Sequence, residues 1–458
     1  MPDERYAKLK DYLSSENPIL LDVIDQYASL DTLGQKIGFL TPSQTYTSNI
    51  SWWPMISILG TFSAGKSTFI NEYLGHDIQV SGNQAVDDKF TVVCYGENEK
   101  PLTLPGLALD ADPRFPFYNI SEEVNKVDPG EGNRVNLYLQ LKTLMSEKVK
   151  GKIIIDSPGF DADSQRDGIL RITSHIVDMS DLVLIFFDAR HPEPGAMRDT
   201  LTHLVGETSK HRDANKILYI LNQIDTTAKE DNLEAVISSW QRALSQEGLI
   251  SGNFYGLYNE SSAIPIEDAT QAERLKRKKD HDLAQITERM DKVGIERAYR
   301  IIKALEDFSQ EMKEQKIPQL QKSLQSWGKK VFWTDMFFIA IIVVSLGLFQ
   351  LEFHWLSKIM ASQTLLIGTV GTLAVTMTLI HFKLRGFFAR REAKKWLDKD
   401  VGISHAIHAN TRWWKPLFSA KNPKWQNAIK NRLDFLSSES RRFIQKLNDQ
   451  FITPQHKD

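Results

Sequence analysis

Residues 60–67 read Gly60-Thr61-Phe62-Ser63-Ala64-Gly65-Lys66-Ser67 and satisfy the spacing G-x-x-x-x-G-K-[ST] in full. Glycines and small residues at these places let successive backbone N–H groups turn inward around phosphate oxygens, and a helix starting there adds positive potential. The chemistry is polyphosphate binding. Gly60, Ser63, Ala64, Gly65 and Thr68 are expected to line the phosphates, Lys66 to reach the β- and γ-phosphates, and the Ser67 hydroxyl to ligate Mg2+. An apolar run, Met55-Ile56-Ser57-Ile58-Leu59, precedes the loop, and a helical run through Leu74 follows it. Strand, loop and helix in that order are the context the motif requires, which makes a chance match a poor explanation.

A second constellation, Ile153-Ile154-Ile155-Asp156-Ser157-Pro158-Gly159, ends a hydrophobic strand in a carboxylate. Asp156 is expected to hold the Mg2+, directly or through water, and the Gly159 N–H to meet the γ-phosphate. Alone, D-x-P-G could be an ordinary strand-ending turn. Downstream of a phosphate loop it reads as catalytic, together with Ser63, Lys66 and Ser67. A third group, Asn222-Gln223-Ile224-Asp225, stands where GTPases carry [NT]-K-x-D. Asp225 would accept from the guanine N1 and N2 donors and Asn222 would meet the other edge of the base. Gln223 replaces the usual Lys, and a plain loop carboxylate at Asp225 is the competing reading. Phe160 follows Gly159 where small GTPases often place a water-orienting glutamine, so slow hydrolysis by the lone monomer is expected.

Apolar runs at residues 55–59, 90–95, 152–155, 182–187 and 217–221 alternate with helix-length stretches. That alternation predicts an α/β fold, a mostly parallel sheet with crossover helices. Residues 4–42 read as amphipathic helices, with Leu9, Leu13, Leu20, Ile24 and Leu30 at helical spacing. Residues 267–325 are helical and highly charged, and the segment after residue 383 is helical, basic and aromatic. The expected division is 1–50 N-terminal stalk helices, 51–265 nucleotide domain, 266–330 stalk helix, 331–383 apolar hairpin and 384–458 C-terminal stalk helices.

The chain of 458 residues has 56 Lys+Arg against 58 Asp+Glu, a net charge of −2 that argues against a nucleic-acid partner. Its one cysteine, Cys94, excludes an intrachain disulfide and a cysteine-based zinc site. Cys94 lies in the apolar run 91–95 and is expected to be a small buried hydrophobe, in keeping with a reducing compartment. Met1-Pro2-Asp3-Glu4-Arg5 has no apolar stretch behind it and does not read as a signal peptide.

Residues 332–351 and 359–382 each approach the roughly 20 apolar residues that a hydrocarbon-crossing helix needs. The connector is short, so the two would form an antiparallel hairpin with Trp333, Phe353 and Trp355 at interface positions. Lys329 and Lys330 precede it, Lys383, Arg385, Arg390 and Arg391 follow it, and only Lys358 lies in the connector. That bias places both soluble arms and both termini in the cytoplasm, making a multi-pass membrane protein. Thr364, Gly368, Thr372 and Thr376 recur every fourth residue and predict a face for close helix contact. A buried hairpin in a soluble bundle and a re-entrant hairpin are the alternatives. The run Arg274-Leu275-Lys276-Arg277-Lys278-Lys279 reads as a solvated helix face or an anionic-lipid contact, and Trp413-Trp414-Lys415 as an interfacial anchor or stalk packing.

The core Ser63-Ala64-Gly65-Lys66-Ser67 resembles that of dynamins. The stretch Pro105-Gly106-Leu107-Ala108-Leu109-Asp110-Ala111-Asp112-Pro113-Arg114-Phe115-Pro116-Phe117 is similar to a segment of the EH-domain-containing ATPases, dynamin relatives that scaffold endocytic membranes. Asp88-Lys89-Phe90 and Phe186-Phe187-Asp188-Ala189 also resemble that family, and the resemblance covers residues 55–260. It implies a dynamin-type nucleotidase domain on a helical stalk, dimerising across the nucleotide face and oligomerising on lipid. Where the family carries P-T-T-D, this chain has Ala85-Val86-Asp87-Asp88, so the usual magnesium-facing Thr is missing, and Thr91 lies too far along to be assumed a substitute. No EH-like calcium loop follows the stalk, so peptide-motif binding is not implied. Those relatives favour ATP whereas dynamins use GTP; Asn222 and Asp225 put GTP first. The expected function is a membrane-anchored dynamin-like GTPase that remodels membranes, the alternatives being ATP as nucleotide, a membrane-held recruiter, or an oligomeric pore.

Overall fold

In the computed structural model the five apolar runs become strands, and three further strands join them. The structure describes residues 2–61, 63–80, 89–115, 135–159, 173, 175–190, 216–246, 253–353, 363–415, 417 and 423–452. The strands are β1 (Met55–Gly60), β2 (Phe90–Tyr95), β3 (Leu102–Pro105), β4 (Leu139–Leu144), β5 (Ile153–Asp156), β6 (Leu182–Asp188), β7 (Ile217–Asn222) and β8 (Phe254–Leu257). They form one sheet in the order β3-β4-β2-β5-β1-β6-β7-β8. Most neighbours are parallel; β2 with β5 and β3 with β4 are antiparallel.

The uninterrupted apolar strands β1, β5 and β6 are buried along their whole length, as strands covered on both faces must be. The three strands absent from the sequence reading lack such a run. β3 is a short edge strand closed by Pro105, β4 alternates leucines with Gln140 and Lys142, and β8 has only four residues, with Gly256 among them. Cys94 is buried, as expected.

By their internal contacts the residues divide into two units that interleave in sequence, Met1–Leu21 with Ile50–Ile301, and Asp22–Asn49 with Ile302–Asp458. In the first unit the helix Pro2–Glu16 is tied to the sheet through its last residue. Glu16 accepts from Trp53 Nε1 at 2.9 Å, from the Gly151 N–H at 3.2 Å and from Arg114 Nη1 at 3.3 Å. Burial pushes the Glu16 carboxyl above its ordinary range, and Arg114 opposes that rise. Arg114 also pairs with Asp112 at 2.7 Å and lies over the Tyr12 ring. Asp112 and Arg114 belong to the Pro-Gly segment that carries the family resemblance, and their work is to hold this corner together. The basic run at 274–279 pairs with acidic neighbours: Arg274 with Asp231, Lys278 with Asp282, and Lys279 with Glu260. Leu275 within it is buried.

In the second unit a π-helical turn, Met312–Lys316, precedes the helix Ile317–Phe353. Pro318 has no N–H to give, so the ladder must skip a bond near it, and the wider turn absorbs the misfit. The second apolar helix is Gln363–Lys394; the connector residues 354–362 lie outside the described residues. Both helices are long and apolar enough to cross a membrane, with windows of mean hydropathy 2.2 and 1.4 that are 6% and 0% buried. That exposure counts against a hairpin buried in a soluble bundle.

The small-residue face is a correction. Thr364, Gly368, Thr372 and Thr376 are exposed, and among the described residues nothing lies within 4 Å of a Cβ built on Gly368. The Thr372 and Thr376 hydroxyls donate to carbonyls four residues back, at 2.8 Å each, which satisfies them without a neighbouring helix. The half-buried face of this helix is instead the one carrying Leu373, Met377 and His381, where His381 Nδ1 lies 2.6 Å from Asp335 Oδ2 of the first helix.

Candidate nucleotide-binding site

β1 delivers the chain to Gly60, whose φ of +156° and whose neighbour Phe186 O, 2.6 Å from any added Cβ, admit only glycine. Ser63 takes a left-handed turn at φ 58°, and Gly65, at φ 84°, opens the helix Lys66–Leu74. A Cβ at Gly65 would lie 2.0 Å from Asn222 Nδ2, so the loop is packed directly against the end of β7. Lys66 is buried, and its ammonium donates to the carbonyls of Gly60 at 2.9 Å and Thr61 at 3.0 Å. The lysine thus lies across the mouth of its own loop, where phosphate oxygens could replace those carbonyls. Ala64 is buried, and Ser67 and Thr68 are half-buried on the first turn of the helix.

Asp156 ends β5 directly beside β1, in register with Ile58, and is 3% exposed. A chain of buried polar groups reaches it that the sequence reading missed. Gln79 Nε2 donates to Asp156 Oδ2 at 2.5 Å, and Lys142 Nζ donates to Gln79 Oε1 at 2.6 Å and to the Ile78 carbonyl at 3.0 Å. The ammonium can only donate and the carboxylate can only accept, so this order fixes which end of the Gln79 amide faces which neighbour. Lysine in a strand normally signals solvent, and the alternation within β4 puts Lys142 on the face opposite Leu139 and Leu141, so the pattern itself reads it as outward. Thr91 sits opposite Asp156 in register, fully buried, with its hydroxyl accepting from Gln140 Nε2 at 2.7 Å.

The third group divides. Asn222 Nδ2 donates to the Ala64 carbonyl at 2.9 Å and Gln223 Nε2 to the Ser63 carbonyl at 2.8 Å, so both amides brace the phosphate loop. Gln223 holds a left-handed conformation at φ 62° to do so. Asp225 is buried, and its Oδ2 accepts from the Ile264 N–H at 2.9 Å. A shallow depression lined by Gly65, Thr68, Asn222, Leu257, Tyr258 and Asn259 lies alongside. Gly159 is half-buried beyond Pro158; Phe160 and residues 85–88 fall outside the described residues.

The donor set suits magnesium. One hydroxyl, Ser67, and one carboxylate, Asp156, leave the remaining positions to phosphate oxygens and water, the usual arrangement for that ion. Among the described residues no cluster of three or more His, Cys, Asp or Glu is placed to form an all-protein cage.

The family model described as the dynamin family matches residues 56–224. The chain carries a dynamin-type G domain. EH domain-containing protein 2 of Rattus norvegicus is 30% identical over 184 residues, covering 38% of this chain and 30% of that protein. EH domain-containing protein 1 of Bos taurus is 27% identical over 180 residues, 38% of this chain and 31% of that protein. The chain therefore matches about a third of the length of these relatives. A solved structure of an oligomerised bacterial dynamin pair, described as providing a mechanism for long-range sensing and tethering of membranes, aligns with 95% of this chain and 79% of its own. Its identity is 16% and its TM-score 0.35. The G domain of this chain is a P-loop nucleoside triphosphatase domain with a mixed sheet, accompanied by a large helical unit and two candidate membrane helices.

The buried chain at Asp156 makes a testable point. Gln79→Met keeps the bulk of the side chain and removes both hydrogen bonds. With Mg2+ present, triphosphate affinity should fall by about 10-fold, the value of one hydrogen bond to a charged group. In EDTA it should stay unchanged. Titrating a fluorescent triphosphate in both buffers checks this; an equal fall in both would mean that Gln79 shapes the loop and not the ion's carboxylate.

Proposed function

We propose that the protein is a membrane-anchored, dynamin-like GTPase: it binds and hydrolyses a nucleoside triphosphate with Mg2+, associates with further copies of itself in the nucleotide-bound state, and remodels the membrane that holds its hairpin. The observation that carries the reading is the phosphate loop, with Lys66 at its mouth, Asp156 on the adjacent strand, and Asn222 and Gln223 bracing its back. On the same chain two helices expose apolar side chains suited to hydrocarbon. Ser67 and Asp156 would hold the ion, whose role is to neutralise charge on the transferring phosphoryl group. Lys329 and Lys330 on one side of the hairpin and Lys383, Arg390 and Arg391 on the other favour a cytoplasmic face for both soluble arms.

Guanine is the preferred base because Asp225 presents a carboxylate beside the loop. One of its oxygens accepts from Ile264 N–H, and a carboxylate can accept about four hydrogen bonds in all, which leaves capacity for the two guanine donors. Adenine offers a single exocyclic amine and an acceptor ring nitrogen there, a poorer match. Fluorescent GTP and ATP analogues titrated against wild type and Asp225→Asn test this. GTP should bind more tightly to wild type, and the substitution should cost GTP about 10-fold or more while leaving ATP nearly unchanged. Equal losses for both nucleotides, or tighter ATP binding by wild type, would contradict the base assignment.

A further inference from the structure

We propose that Trp413 and Trp414, on the loop after the helix Val401–Asn410, form a separate membrane contact: an interfacial anchor that seats in the headgroup layer of anionic phospholipids beside the base of the apolar hairpin. The proposal rests on the membrane reading above and adds a third attachment point to its two helices.

The two indoles are 68% and 56% exposed, although an aromatic side chain of this size normally buries most of its surface. The loop that bears them is nevertheless held in place. Arg385, buried on the second apolar helix, donates through Nη2 to the carbonyls of Arg412 at 3.1 Å and Lys415 at 2.6 Å. Lys415 Nζ donates to Asn410 Oδ1 at 3.0 Å. The Arg385 guanidinium lies over the Trp327 ring at 5.3 Å, and Trp327 Nε1 donates to the Arg385 carbonyl at 3.1 Å. Trp327 is buried in a small core with Val331 and Ala389. A buried cation clamped between a core tryptophan and two loop carbonyls thus fixes the backbone at 412–415 and leaves its two aromatic side chains outward.

What covers them follows from what adjoins them. Trp413 meets Phe382 edge to face with ring centroids 6.3 Å apart, and Trp414 meets Trp413 likewise at 5.7 Å. Phe382 lies at the end of the second apolar stretch, so the aromatic row continues directly onto the helix surface assigned to hydrocarbon. The surrounding charge is predominantly basic; the acidic neighbours are Asp335, paired with His381, and Glu392, buried and paired with Lys330 and Lys395. Residues 383–391 and 412–415 include Lys383, Arg385, Arg390, Arg391, Arg412 and Lys415 and no acidic residue. The Arg412 guanidinium sits over the Trp414 ring at 5.3 Å. Burial, with Arg412 nearby, holds the Lys415 ammonium below its ordinary range. An anionic headgroup layer would relieve that crowding, and tryptophan's amphipathic ring suits the same depth. A second protein copy or an apolar peptide is matched less well to a rim in which basic groups predominate.

The test uses the full-length protein with an environment-sensitive fluorophore on Trp413→Cys, and a second preparation labelled at Ile339→Cys within the hairpin. The native thiol, Cys94, is buried and pushed up to about 12, so it stays unlabelled. On vesicles of phosphatidylcholine with phosphatidylserine, the label at 413 should shift to the blue. It should be quenched several-fold more by a nitroxide near the headgroup than by one near the chain end, with the opposite order at 339. Arg412→Glu with Lys415→Glu, placed in the 413-labelled protein, should abolish the gain that phosphatidylserine gives over phosphatidylcholine alone. If the label at 413 stays open to aqueous iodide while that at 339 is quenched by lipid, the inference fails and the membrane reading stands. If both remain aqueous, both fail. Protection of the label at 413 from iodide without vesicles would show a protein surface covering it and would also overturn the proposal.

Discussion

Lys66→Ala should weaken triphosphate binding by about 100-fold. The ammonium is buried at the loop mouth and already donates to two backbone carbonyls, so it is preorganised at the place where β- and γ-phosphate oxygens must come. A hydrogen bond between charged partners contributes about 1.5–3 kcal/mol net, and about 1.4 kcal/mol corresponds to a factor of ten, giving about 10- to 100-fold for one such contact. Contact with two phosphates puts Lys66 at the upper end. Lys66→Arg should not rescue binding, because a planar guanidinium is too wide for the space a buried lysine stem occupies. Fluorescence titration checks the affinity, and thermal unfolding checks that both variants fold. Unchanged affinity in a folded Lys66→Ala protein would contradict the phosphate assignment.

Val343→Asp with Val344→Asp should detach the protein from membranes. Both valines lie within the first apolar helix and are more than half exposed, so the substitutions disturb no core. An aspartate at the centre of a spanning helix costs about 2.5–3.5 kcal/mol, and two together cost about 5–7 kcal/mol, or four to five powers of ten in partitioning. Flotation with vesicles and extraction at alkaline pH should find the wild type with lipid and the double variant in the aqueous fraction. Persistent flotation of the variant would contradict the expected detachment and show that the second helix or the Trp413–Trp414 loop holds the protein without the first helix.

The phosphate loop was legible because its chemistry requires fixed residue types at fixed spacing, and Asp156 because it ends an uninterrupted apolar run. The central strands were legible for the same reason as Asp156. What escaped was set by pairing across the chain. Gln79 in a loop and Lys142 in a strand look solvated until β4 brings the lysine inside and aligns it with the amide and the carboxylate. Asn222 and Gln223 stood out by their place in the base-reading pattern, and their bonds to the phosphate loop emerged only with the fold, because they depend on how closely Gly65 lets β7 approach. Asp112 and Arg114 stood out as a family signature, and their use emerged only with Glu16, which lies far away in sequence. The period of the small-residue stripe at 364–376 was real. Its direction was not in the sequence, because the half-buried face of that helix carries Met377 and His381 instead.

The most direct measurement is phosphate release by the full-length protein on anionic vesicles, with GTP or ATP, in Mg2+ and in EDTA. The account predicts hydrolysis that needs Mg2+, is slow without vesicles, and disappears with Lys66→Ala. No hydrolysis of either nucleotide on vesicles, or turnover that persists in EDTA, would contradict it.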